Sequence, residues 1–264
     1  MSDGDYVLGT RDDEIERLGV QHRVWRNDML AGFGAAGFSA GQTIIDVGAG
    51  PGFAAADLAD RVGPTGRVVA LERSPHFCAA IDARGLANVE ARVHDVCDEP
   101  FGDAIADGSW CRWVLAFVAD PARTVGHIAR ALRPGGTALF HEYADYAAWR
   151  TMPPDPDMER FRDLVIDSWR ASGDEPDIAL ALPDLLDAAG MEIVAIRPMI
   201  AIITADDPMW RWPASFIANG SARLAELGYA TAEQSARFAT LLDRLPCGTR
   251  MITPLVAEIV ARKR

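Results

Sequence analysis

A doubly wound α/β sheet is the fold class this sequence predicts, and three observations predict it. Short β-branched apolar runs alternate with helix-patterned stretches from residue 43 to residue 142. The first run, Thr43 to Val47, breaks into Gly48, Gly50 and Gly52 and then into a helical pattern. Strand, glycine turn and helix N-terminus in that order make a cradle for a polar ligand. A hairpin-like pair of apolar runs beyond residue 190 completes seven strands and makes the seventh antiparallel.

The elements follow in order. Asp12 to about Phe33 reads as a helix, with Ile15, Leu18, Val24, Trp25 and Met29 at helical spacing. Thr10 is its expected N-cap, with Asp13 three residues on, and Gly32, Gly34 and Gly37 mark its exit. Strands and helices then alternate at 43–47, 53–62, 67–72, 75–84 and 89–95, with Asp57 and Asp60 expected on the outer side of the helix at 53–62. A fourth strand is placed at 106–111 although Ala106-Asp-Gly-Ser-Trp-Cys111 is a poor strand sequence. Pro121 opens a helix that runs to Leu132. Arg133-Pro-Gly-Gly136 then turns into a fifth strand, Thr137 to Glu142.

From Tyr143 to about Gly190 aromatics, prolines and acids cluster, with helices expected at 158–171 and 183–189. Glu192 to Pro198 reads as the sixth strand and Met251 to Ala261 as the last. The insertion at 206–248 carries Trp210, Trp212, Phe216 and a helix at 231–244 capped by Thr231. The expected organisation is an N-terminal lid and helix at 1–42, a ligand-binding core at 43–142 and a cap at 143–190. Final strands at 191–264 enclose the second cap, 206–248.

Composition narrows the functional classes. The 264 residues, 49% of them apolar, fit one α/β domain with additions. A net charge of −12 repels phosphate backbones and argues against nucleic acid as a substrate. The one basic cluster, Arg262-Lys-Arg264, reads as a solvated tail. Cys78, Cys97, Cys111 and Cys247 lack C-x-x-C spacing, which argues against a zinc site or a disulfide scaffold. Each is expected to be a small buried apolar residue in a reducing cytosol. No apolar run reaches the length of a membrane span, and Met1-Ser-Asp-Gly-Asp5 lacks a signal-peptide core, so the cytoplasm is the expected location.

The glycine segment also discriminates between ligands. A dinucleotide fingerprint needs its third glycine at position 53, where this chain has Phe53. Asp46, just before the turn, would repel a pyrophosphate and suits an ammonium group. Glu72 ends the second strand, twenty residues after Gly52, where an acid can accept from both hydroxyls of a ribose. Asp95 ends the third, where an acid can meet an adenine amino group.

In that order, Asp46-Val-Gly-Ala-Gly-Pro-Gly52, Leu71-Glu72, His94-Asp95-Val96, Arg112-Trp113-Val114-Leu115, Asp120-Pro121 and Leu132-Arg-Pro-Gly-Gly136 resemble the class I S-adenosylmethionine-dependent methyltransferases, over Thr43 to roughly Glu142. The resemblance implies a Rossmann-like doubly wound seven-stranded sheet. It also implies S-adenosyl-L-methionine as cofactor and S-adenosyl-L-homocysteine as product. Asp107 falls where the family usually has an acid on its fourth strand. By resemblance Gly48, Ala49 and Gly50 pack under the methionine part, with Asp46 close to it. Glu72 takes the ribose and Arg73 flanks the adenine. Asp95 and the Val96 amide meet the adenine edge, and Arg112 lies near the methionine end. Tyr6-Val-Leu-Gly9 resembles the lid of small-molecule members, with Tyr6, Gln21 and Trp25 as further cofactor contacts. Gln21 and Trp25 also read as plain solvent-facing and core positions of their helix.

Methyl transfer from a sulfonium is an in-line displacement that mainly needs alignment and exclusion of water. Base candidates gather at the end of the fifth strand: His141, Glu142, Tyr143 and Tyr146. His141 reads equally as a packing histidine, and His94 as structural. Trp113, Trp149, Trp210, Trp212 and Phe216 suggest a flat apolar pocket for an aromatic or polyketide-like acceptor of secondary or quinone-type metabolism. The expected partners are a small-molecule substrate, no nucleic acid and no membrane, with a homodimer among the expected assemblies. No metal is expected. A cofactor-binding protein without transfer, a cyclase on the same fold and, less well, a nicotinamide oxidoreductase are the competing readings.

Overall fold

In the computed structural model, residues 12–264 are described, with side chains from residue 14 onward, so Tyr6 and Thr10 lie outside the described residues. Along the chain, α1 (Asp12–Ala35) leads into β1 (Thr43–Val47), α2 (Phe53–Val62), β2 (Arg67–Glu72), α3 (Pro75–Asp82) and β3 (Val89–Val93). Next come β4 (Ala106–Arg112), α4 (Pro121–Ala131), β5 (Leu132–Asp145), β6 (Arg150–Met152), α5 (Pro156–Ala171) and α6 (Leu182–Ala188). The chain closes with β7 (Met191–Met199), β8 (Ile202–Thr204), α7 (Arg211–Glu226), α8 (Ala232–Ala239), α9 (Leu241–Arg244), β9 (Arg250–Ile252) and β10 (Leu255–Lys263).

Seven strands form one sheet in the order β3-β2-β1-β4-β5-β10-β7. β3, β2, β1, β4 and β5 run parallel, and β10, the seventh, is antiparallel, as expected. Side chains alternate across this sheet. Ile45, Val47, Cys111 and Phe140 pack on one face with Val125 and Ile128 of α4 and Leu182 and Leu186 of α6. Ile44, Trp110 and Leu139 pack on the other with Met29 and Phe33 of α1 and Ala55 and Leu58 of α2. β6, β9 and β8 form a separate three-stranded antiparallel sheet.

The chain divides into two compact units. The first comprises residues 26–142, 178–198 and 257–264 and carries the large sheet. The second comprises the described residues up to Trp25, 143–177 and 199–256, and carries the small sheet. Its interior is a run of edge-on aromatic contacts. Tyr146 meets Tyr143 at 4.9 Å, Trp169 at 4.9 Å and Trp149 at 5.8 Å between ring centres. Trp149 in turn meets Phe161 and Phe216, each at 5.9 Å. Trp212 packs edge-on against Trp25 at 5.1 Å. Trp149, Trp212 and Phe216 are therefore buried within this unit, while Trp210 is half-buried.

β4 forms despite its composition because the positions that lower its propensity are used for packing and pairing. A Cβ on Gly108 would lie 2.5 Å from the Phe38 ring. Asp107 accepts from the Thr43 amide at 2.8 Å and pairs with Arg133, tying β4 to its neighbours.

Several expectations are corrected. Asp57 is buried, not on the outer side of α2, because it receives the Arg26 guanidinium at 2.6 Å. The basic tail is anchored: Lys263 Nζ donates to the Leu132 carbonyl at 2.7 Å and Arg264 pairs with Asp187 at 2.6 Å. Cys247 is exposed. The single last strand is two, broken at Thr253-Pro254, where Thr253 turns aside to exchange hydrogen bonds with Ala201. The helix at 231–244 breaks at Thr240, although its Thr231 cap forms a full capping box with Gln234. Among the described residues no helix is long and apolar enough to cross a membrane.

Candidate active site

The carboxyl ends of β1, β2 and β4 converge on the glycine turn. Gly48, Gly50 and Gly52 all adopt left-handed backbone, with φ of 65°, 55° and 75°. A Cβ on Gly48 would lie 2.5 Å from Val114 Cγ2, and one on Gly52 would lie 2.6 Å from Ile81 Cγ1. The turn is pinned on its other side by Arg84, which donates twice to the Pro51 carbonyl and covers the Phe53 ring at 4.5 Å. Ala49 donates to the Leu71 carbonyl at 2.9 Å.

Two acids face this turn. Asp46 is 2% exposed and its Oδ2 has no hydrogen-bond partner among the described residues. Burial pushes its carboxyl up to about 7, opposed by the Arg112 guanidinium and reinforced by Glu72. Glu72 accepts from the Ser74 amide at 2.8 Å and from the Gly50 amide at 2.9 Å, one on each oxygen. Burial holds its carboxyl above the usual range against those two amides. Because a carboxylate offers about four acceptor positions, capacity remains on both oxygens.

Asp95 is half-buried and closes a tight turn, accepting from the Cys97 amide at 2.9 Å. Val96 is buried beside it, while Arg73 is exposed. His94 contacts the Glu99 carbonyl at 3.0 Å and packs on Phe101. Arg112 lies over Trp110 and Trp113, 5.5 Å and 5.2 Å from their ring centres.

His141 and Glu142 point to opposite faces of the sheet, and both are fully buried. His141 Nε2 lies 2.9 Å from Glu258 Oε2, and Arg197 donates to the same carboxylate at 2.9 Å. Burial lowers the imidazole's affinity for a proton, opposed by the Glu258 carboxylate, and Arg197 brings a positive charge to that same carboxylate. Although burial pushes the Glu258 carboxyl up, these hydrogen bonds bring it down to about 2. Glu142 Oε1 accepts from the Val114 and Leu115 amides, both at 3.0 Å, and its Oε2 is buried without a partner among the described residues. Burial pushes it up to about 7 against those amides.

Of the expected site residues, Asp46, Gly48, Ala49, Gly50, Glu72, Arg73, Asp95, Val96, Arg112, His141 and Glu142 belong to the first unit. Gln21, Trp25, Tyr143 and Tyr146 belong to the second. Gln21 accepts there from Trp212 Nε1 at 3.1 Å and from Arg17 at 3.2 Å, so it is not a bare surface residue. Arg84 and Ile81 carry no sequence signal beyond proximity to motifs, and Val114 stands in a quoted motif without a role of its own being read for it. Among the described residues no cluster of three or more His, Cys, Asp or Glu could hold a metal.

The residues present fit S-adenosylmethionine. An unpartnered buried carboxylate oxygen on Asp46 suits an ammonium group, and the left-handed turn through Gly48 and Gly50 puts backbone without side chains beside it. The family profile described as "Methyltransferase domain" matches residues 45–140. An uncharacterized 37.1 kDa protein in transposon TN4556 of Streptomyces fradiae is 28% identical over 232 residues, covering 84% of this chain and 63% of that protein. A 2-phytyl-1,4-naphtoquinone methyltransferase of Nostoc punctiforme is 30% identical over 157 residues, covering 56% of this chain and 63% of that protein. The O-methyltransferase resE of Aspergillus sclerotiorum is 29% identical, covering 74% and 77%. The chain thus spans less than two thirds of the length of the first curated relatives it matches. Among solved structures, a Bacillus halodurans C-125 protein provisionally described as a methyltransferase aligns with TM-score 0.61 at 18% identity, covering 90% of this chain and 99% of that one. The [4+2]-cyclase SpnF aligns with TM-score 0.54 at 20% identity, covering 88% and 79%. At those identities the structures speak for the fold alone. Residues 45–140 are a methyltransferase domain of the class I, S-adenosylmethionine-dependent group, carried on that group's seven-stranded sheet.

Proposed function

We propose that this chain is a methyltransferase that binds S-adenosylmethionine and passes its methyl group to a small aromatic or quinone-like acceptor. The observation that carries the reading is the buried, unpartnered Asp46 oxygen beside a glycine turn that Glu72 holds through Gly50. When bound, the cofactor supplies a methyl already activated by positive sulfur. The chain's own work is binding and alignment. Asp46 receives the ammonium, Gly48 to Gly50 bring backbone under the methionine part, and Glu72 accepts from the ribose with its remaining lone pairs. Asp95 and the Val96 amide meet the adenine, with Arg73 at its flank and Arg112 at the methionine end. Gln21, Trp25 and Tyr6 serve the lid, 1–42. The segments 143–190 and 206–248 serve acceptor recognition, with Tyr143 and Tyr146 as contact candidates.

Neither His141 nor Glu142 acts as a base in this reading, since each is fully buried and already bonded. Positioning then drives transfer. The acidic surface supports a small acceptor over nucleic acid, and the quinone class is supported by the Nostoc relative's name. A non-methylating reading is kept because SpnF, a cyclase, shares the fold.

The test is formation of S-adenosylhomocysteine from labelled S-adenosylmethionine with a panel of phenols and hydroquinones. Acceptor-dependent product is expected. Cofactor binding without product across the panel, together with chemical change of an added polyene, would favour the cyclase reading. His141→Phe is expected to lower turnover less than about ten-fold, below the 10²–10⁴-fold loss of a removed general base.

A further inference from the structure

We propose that Glu142 is a positioning residue for the cofactor cradle: its buried carboxylate straps the turn after β4, and through Val114 that turn sets the glycine loop. The inference rests on the cofactor reading above. β4 ends at Arg112, and Trp113 then takes a left-handed backbone, φ 52°, which a bulky side chain adopts only under constraint. The constraint is visible. The Trp113 amide donates to the His141 carbonyl at 3.0 Å. The next two amides, Val114 and Leu115, both donate at 3.0 Å to one oxygen of Glu142. Two successive N–H groups converging on one carboxylate form a small anion nest, here filled by a side chain of the neighbouring strand.

The turn bears directly on the cradle. Val114 Cγ2 occupies the space a Cβ of Gly48 would need, 2.5 Å from that position. Arg112, at the start of the same turn, is the cation that opposes the raised proton affinity of Asp46. A displaced turn therefore moves the wall behind Gly48 and the charge beside Asp46 together. Glu142 touches neither cofactor nor acceptor in this account. It fills a position between β5 and the β4 turn where an apolar residue would leave two amides without an acceptor.

The experiment titrates S-adenosylhomocysteine by calorimetry into wild type, Glu142→Leu and Glu142→Gln, with circular dichroism to verify folding. Glu142→Leu keeps volume but removes the acceptor, and affinity is expected to fall about ten-fold or more. Glu142→Gln keeps a carbonyl oxygen for the two amides and is expected within about three-fold of wild type. If Glu142→Leu does not fold, Glu142→Asp replaces it, and its shorter reach is expected to give the same loss. The discriminating readout is a double-mutant cycle with Trp113→Gly, since glycine takes positive φ without a strap. In that background Glu142→Leu is expected to cost less than about half its free-energy effect in wild type. Equal losses in both backgrounds, or unchanged affinity in Glu142→Leu, overturn the proposal. Absence of binding by wild type would instead sink the cofactor reading on which it rests.

Discussion

Gly48→Val should abolish binding of S-adenosylhomocysteine while leaving a folded chain. Two independent effects act at this one position. Its φ of 65° is left-handed, a conformation that costs an L-residue roughly 1–2 kcal/mol and a β-branched one more. Its Cβ would also lie 2.5 Å from Val114 Cγ2, well inside contact distance. The backbone of Val114 is held by its amide's bond to the buried Glu142, so relief must come from its branched side chain or from the glycine loop. A loop shift of about an ångström at a close-fitting backbone site is expected to cost about 10²-fold or more. Calorimetry reads the affinity and circular dichroism the fold. A folded Gly48→Val variant with wild-type affinity would show that the glycine turn is not the ligand site.

Asp46→Asn should make the protein more stable in mild alkali and a poorer binder of the cofactor. Asp46 carries a folded pKa of about 7 against an ordinary value of 3.8. A raised acid contributes stability that is fully present below the unfolded value and is lost as pH rises, the loss being complete above about 7. For a fully buried group the shift corresponds to a few kcal/mol, at roughly 1.4 kcal/mol per pH unit. Asparagine has no charge to ionise. The variant should therefore match wild type near pH 4 and exceed it near pH 8, read as urea midpoints across pH. Glu142, also held near 7, adds to the same alkaline loss. On the acid side Glu258, brought down to about 2, contributes stability that is lost as pH falls from about 4.5 to 2. Because asparagine cannot balance an ammonium, the gain in stability should accompany weaker binding of S-adenosylhomocysteine at neutral pH. Equal urea midpoints for wild type and variant at pH 8 would contradict the assignment of Asp46 as a strained, buried acid.

Local patterns made much of the core legible. β1, α2 and β2 occupy the expected residues because β-branched runs and glycine punctuation act within a few residues of chain. The seven-stranded sheet with its seventh strand antiparallel followed from the resemblance carried by the ordered motifs. What stayed hidden depends on partners far away in sequence. Asp57 looked solvent-facing until Arg26 was placed beside it, and nothing local to His141 announces Glu258, 117 residues on. The small sheet escaped because its strands have three residues each, too short for a period to register. α7 escaped because Pro213 and Gly220 interrupt its pattern, although Trp212, Phe216, Ile217 and Leu224 keep helical spacing. Its place at the end of the fifth strand also named Glu142 as a candidate base, but only the fold displays the two backbone amides that donate to it.

The central claim, that this domain binds S-adenosylmethionine with Asp46 against its ammonium, is tested most directly by titrating S-adenosylhomocysteine into the wild-type chain at pH 6.5–7. The titration is run in two buffers of different ionisation enthalpy. Asp46 holds a proton over part of that range, and an ammonium placed beside it favours the charged carboxylate. The account predicts one-to-one binding with release of a fraction of a proton, seen as a buffer-dependent heat that disappears in Asp46→Asn. Absence of binding, or binding of NAD in its place, would contradict it.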